Sequence, residues 1–127
     1  MIQEYFKNEL EEKYPMLRWS IDYYESNGNV GVVYSETANP PSTYDDKVRF
    51  PNYMIFIRDT DWQRAESIAY DLVGLFNGRL AETFISSNGK KYSILFIEAT
   101  SDANRLGVNA NYMEYSVNFK VTLKEVI

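Results

Sequence analysis

The chain reads as one α+β domain over residues 1–127, with two helices packed on one face of an antiparallel-rich sheet in the order α-β-β-β-α-β-β-β. The first observation behind this is the run from Tyr112 to Leu123. There Met113, Tyr115, Val117, Phe119, Val121 and Leu123 alternate with Tyr112, Glu114, Ser116, Asn118, Lys120 and Thr122, the period of a strand with one buried face. The second is the stripe Trp62, Ala65, Ile68, Ala69, Leu72, Leu75 and Phe76, spaced three or four apart as on an amphipathic helix. The third is size, since 127 residues bury a sizeable core without staples.

The elements follow in order. Ile2, Phe6 and Leu10 predict a short amphipathic helix that ends before Pro15. "LRWSIDYY" alternates Leu17, Trp19, Ile21 and Tyr23 against Arg18, Ser20, Asp22 and Tyr24. With "VGVVYSE" beyond the turn-like "SNGN", it predicts a hairpin. "TANPPSTYDDKVRFPN" has no period and reads as a long loop, functional or mobile. "YMIFIRD" is a strand with apolar residues on both sides. The main helix follows, with Thr60 and Gln63 as a capping box and Gly78 as its stop. "RLAETFISS" and "KKYSILFIEAT" flank Asn88-Gly89, which predicts a two-residue hairpin. "SDANRLGVNAN" is read as irregular before the final strand. Because "MIFI" and "ILFI" are apolar on both sides and two helices cover one face, a curl of the sheet or a neighbouring subunit must cover the rest.

Composition narrows the function classes. The chain has no His and no Cys, which removes imidazole bases, thiol nucleophiles, disulfides and nearly every structural zinc site. No cofactor is expected. A net charge of −5 argues against specific nucleic-acid binding, which relies on Lys and Arg at phosphates. No basic segment followed by an apolar run opens the chain and no apolar run approaches a membrane span, so neither secretion nor a membrane partner is expected. Tyrosines, 11 in number, suit strands, and those in loops suit interfaces.

Each candidate for chemistry has a simpler structural explanation. Asp59 and Asp61 could hold a cation, yet Arg64 and Tyr70 stand where a calcium loop needs Gly and an acid, and carboxylates cap helices. Asp45 and Asp46, or Glu98, could serve a hydrolase, but loops commonly carry solvated charge. "GNVG" lies between strands rather than helices, and "SSNGKK" at a hairpin tip. No catalytic residue is assigned.

"FIRDTDWQRAESIAYDLVGLFNG" carries an R-x-x-D-x-x-x-A-x-x-x-A-x-x-L run after an apolar strand, and the chain ends in "LGVNANYMEYSVNFKVTL". These segments, sharpest over Met54–Gly78 and Leu106–Val121, resemble the minor capsid or tail terminator (tail completion) proteins of long-tailed bacteriophages. The resemblance implies a non-enzymatic assembly protein of the virion, present in the host cytoplasm during assembly. Its ring, commonly hexameric and able to form only once on the tail, would cap the tail tube, stop tube-protein polymerisation and meet the head-tail connector protein. Alternatives are a head-completion or stopper protein and a module binding protein through an exposed sheet edge, such as the terminal strand. By loop position, the expected contacts are Tyr44, Asp45, Asp46, Lys47 and Arg49 in the long loop and Asn104, Arg105 and Asn109 in the second irregular segment.

Overall fold

The computed structural model describes residues 1–126. The elements are α1 (Gln3–Lys13), β1 (Arg18–Ile21), β2 (Val30–Ser35), β3 (Val48–Arg49), β4 (Asn52–Asp59), α2 (Trp62–Phe76), β5 (Leu80–Ile85), β6 (Lys91–Ala99), β7 (Asn104–Asn109) and β8 (Tyr112–Val126). The strands form one sheet in the order β1-β2-β4-β8-β6-β5, with β3 and β7 each paired to β8. The fold is the expected α+β class, with both helices on one face.

β8 is the spine. Along one edge it pairs with β4 and then β3, along the other with β7 and then β6. Its alternation therefore comes from the centre of the sheet. Met113, Tyr115, Val117, Phe119, Val121 and Leu123 are buried beneath the helices, as the period predicts. Among the described residues both edges of the terminal strand are paired, so it is not the exposed edge that the binding-module alternative expects.

Ile2, Phe6 and Leu10 of the first helical segment are wholly buried, and the helix stops at Lys13, ahead of Pro15. α2 buries Ala65, Ile68, Ala69, Leu72 and Phe76. Its cap is Asp61, whose carboxylate accepts from Arg64 N at 3.1 Å, one residue after the expected Thr60. Gly78 takes a left-handed φ of 86° just beyond the helix, as its stop position requires. The second hairpin turns through Ser87, Asn88 and Gly89, one residue more than predicted. Gly89 N donates to Ser86 O, Ser86 N donates to Lys90 O, and Gly89 is left-handed, as in a type I turn followed by a bulge.

The first predicted hairpin is not one. β1 and β2 are parallel, Arg18 beside Val30 and Ile21 beside Val33. The chain leaves β1 at Asp22, in a left-handed conformation, and crosses the outer face before entering β2. On the way Tyr24 packs its ring on Phe56, with centroids 5.8 Å apart. This crossover helps cover the outward side of "MIFI", where Val30, Val32 and Phe56 make a small second core. "ILFI" has a different cause. A β-bulge between Ile94 and Phe96 lets Ile94 and Ile97 both face the main core, while Leu95 is 41% exposed.

Gly31 permits the β1–β2 contact, because a Cβ there would lie 2.3 Å from the Trp19 ring. Gly31→Ala should cost about 1–3 kcal/mol through overpacking, read as a lower urea midpoint with unchanged slope. An unchanged midpoint would show that Trp19 has room to move.

Buried phenols make the fold alkali-sensitive. Tyr53 accepts the Ile2 N–H at 3.1 Å, and burial pushes its phenol up to about 12. Tyr14 is pushed to about 12 by burial and then by Asp71. Burial, followed by the hydrogen bond to Glu82, raises Tyr5 as well. A folded-state value above the unfolded value near 10 means stability fully present below pH 10 and lost as pH rises toward 12. Loss of far-ultraviolet circular dichroism is expected in that window, together with late phenolate absorbance. Complete tyrosine titration near pH 10 with the fold intact would contradict it.

Candidate interaction surfaces

The proline-rich segment forms an exposed arm between β2 and β3, and Arg49, expected in the loop, belongs instead to β3, where pairing with Leu123 of β8 holds it in a strand. Prolines 40 and 41 lack the donors that strand pairing needs. The base of the arm is nonetheless fastened. Asn39 N and Nδ2 both donate to Phe50 O, Asn52 Nδ2 donates to Thr37 O at 2.7 Å, and Ser42 N donates to Val48 O. Beyond it, Lys124 Nζ reaches Asp45 at 2.9 Å and Arg49 Nε donates to the Asp46 carbonyl at 2.8 Å. Lys124, and then the Lys47 backbone N–H, hold the Asp45 carboxyl below its ordinary range. Tyr44 is 100% exposed at the tip. Tyr44, Asp45, Asp46, Lys47 and Arg49 thus form one surface beside Leu123. The last three border an open depression of about 310 Å³ with Met1, Tyr92 and Glu125.

Asn104, Arg105 and Asn109 belong to a strand, not to the irregular segment read from the sequence. β7 pairs with β8 through a two-residue turn in which Ala110 and Asn111 both have positive φ, 50° and 70°. Type I′ turns favour Asn and Gly, and only Asn111 signals one here. Asn104 Nδ2 donates to Ser116 Oγ at 3.4 Å, and Asn109 pairs with Tyr112. Gly107, at φ 110°, lies beside the register shift that ends at it. Leu106 and Val108 remain about half exposed.

The two groups of predicted contacts do not meet. Arg49 lies opposite Leu123 and Arg105 opposite Tyr115, on opposite edges of β8. Those positions are eight residues apart along the strand, roughly 26 Å. The carboxylates are dispersed too. Asp45 pairs with Lys124, whereas Glu98 pairs with Lys120 at 3.8 Å. Four positions along a strand are about 13 Å, too far for the paired carboxylates of a glycosidase. Asp59 is buried and accepts from Arg64 Nε at 2.6 Å and Asp61 N at 2.8 Å, so it organises the start of α2. Among the described residues, no three His, Cys, Asp or Glu side chains gather in a possible metal site.

A third surface escaped the sequence reading. Trp62, expected in the buried stripe, is 48% exposed, because the first turn of α2 overhangs the β7–β8 turn. Its indole Nε1 donates to Asn111 O at 3.1 Å. Tyr70, two turns along and 50% exposed, meets Tyr115 edge to face at 6.5 Å. Trp62, Gln63 and Glu66 on one wall and Arg105 on the other enclose a groove of about 290 Å³ with Met113 and Tyr115. Burial, and after it the charge of Glu66, raises the Tyr115 phenol. Position 62 as the first helical residue was the available signal, since a helix end is the part a sheet covers least.

No known protein-family model matches this chain, and no curated protein matches it. Among the described residues no helix is long and apolar enough to cross a membrane.

Proposed function

We propose that this protein is a non-enzymatic virion assembly protein of a long-tailed bacteriophage. It acts as a tail terminator, a ring that caps the tail tube, halts tube-protein polymerisation and joins the tail to the head connector. The observation that supports this reading is that the two exposed groups of expected contacts lie at opposite ends of the central strand, roughly 26 Å apart. A subunit of a ring closed head to tail needs two separate surfaces of this kind. The two segments with the tail-terminator resemblance are also physically joined, by the Trp62 indole and the Asn111 carbonyl.

The test is electron microscopy of the protein mixed with tail tubes grown from the tube protein encoded beside it. Ring density at one tube end with growth halted is the expected result. Free protein beside growing tubes would end the terminator reading and move the role to a head-side stopper at the connector. A second reading, a module binding protein at a sheet edge, draws support from β5. That edge strand carries Leu80 at 65% and Ile85 at 63% exposure. A monomer or dimer that never forms rings on tubes, yet captures a strand-forming peptide along β5, would favour it.

A further inference from the structure

Of the residues lining the groove between α2 and β7, only Arg105 is among the contacts expected from the sequence. We infer that the groove receives the proline-rich arm of a second copy of this chain, joining neighbouring subunits arm into groove; this rests on the self-assembling reading above.

The first argument is the chemistry of the two surfaces. Exposed Trp62 gives the groove an aromatic wall beside the Tyr115 ring, and the groove opens beside β7, which among the described residues pairs only with β8. Aromatic-lined grooves suit proline-rich segments, whose extended conformation is already set and loses little entropy on docking. The arm supplies prolines 40 and 41, followed by the fully exposed Tyr44 ring. Its fastened base keeps the ordering cost low.

The second argument is charge. Arg105 and Glu66 line the groove, and Asp46 and Lys47 follow the arm's tyrosine. Among the described residues none of these four makes an ion pair, whereas neighbouring Asp45 is taken by Lys124. Asp46 against Arg105 and Lys47 against Glu66 would satisfy both surfaces and fix the register of docking.

The third is placement. Arm and groove lie at opposite ends and opposite edges of β8, and Lys124 holds Asp45 at the arm's end, so a subunit's arm lies far from its own groove. Such a contact is head-to-tail, and a repeated rotation closes it into a ring.

The absence of cysteine makes the test clean. A Thr43→Cys variant is mixed with a Gln63→Cys variant and treated with a short bismaleimide, with Thr43→Cys plus Met16→Cys as the control pair. The arm–groove product is expected at about tenfold over control. Arg105→Asp in the Gln63→Cys chain should remove that excess, and Asp46→Arg in the Thr43→Cys chain should restore it, tenfold being about 1.4 kcal/mol. Product no higher than control at the solubility limit, or product indifferent to the charge exchange, overturns the inference. So does cross-linking of Gln63→Cys to tube protein in place of a second copy. Capped tubes without the arm–groove product would refute this contact and leave the terminator reading standing. Product without capping would do the reverse.

Discussion

Phe119→Ala is expected to lower stability by about 3–5 kcal/mol, the range for truncating a fully enclosed core phenylalanine. Phe119 has no exposed surface. Its ring stacks on Phe6 with centroids 6.0 Å apart and meets Phe76 edge to face at 5.7 Å, so it ties both helices to the central strand. On the sheet it stands between Tyr53 of β4 and Ala99 of β6. Neighbours held by two ladders and two helices cannot collapse far into the space left by the ring, which places the cost in the upper part of the range. Asn118→Ala, one residue away on the outer face, is expected within about 0.5 kcal/mol of the parent. Urea unfolding of the two variants checks this. Equal, small shifts would mean that β8 does not present these faces.

Arg58→Lys is the second large effect, expected at about 2–3 kcal/mol although charge is conserved. Arg58 is 2% exposed, and among the described residues it has no carboxylate partner. Its guanidinium donates to Gly28 O from Nε at 3.1 Å and Nη2 at 2.8 Å, to Glu25 O at 2.7 Å and to Tyr24 Oη at 2.7 Å. It also lies over the rings of Tyr24 and Tyr112, at 5.1 and 4.5 Å from their centroids. The planar fork is what gathers the crossover between β1 and β2 onto the sheet. An ammonium reaches one or two of these acceptors and leaves the others dry and unpaired. The variant should therefore lose hydrogen-exchange protection around Gly28 and Val30 before the rest of the sheet opens. Parent-like stability and protection would show that packing of Tyr24 alone holds the crossover.

The arm was legible as a loop, since two prolines and a run of small polar residues exclude regular pairing. What it is fastened to was not, because Lys124 is 79 residues from Asp45. The groove was less legible still. Trp62 continues the apolar helical stripe, and only its position over the β7–β8 turn exposes it. The β7 strand was missed because its turn lacks glycine and its bulge breaks the alternation at Leu106.

By itself the sequence determined the class of the fold, the two helices with their buried stripes, and the inward face of the final strand, because each is a periodicity that neighbouring residues set within a few turns or pleats. Only the tertiary structure decided that β1 and β2 run parallel, that the final strand is central and not an edge, and that the arm and β7 lie at opposite ends. Strand neighbours are chosen by backbone groups that every residue carries alike, so their pairing is settled by long-range packing, here around Arg58, Trp19 and the Phe119 cluster, and not by local pattern.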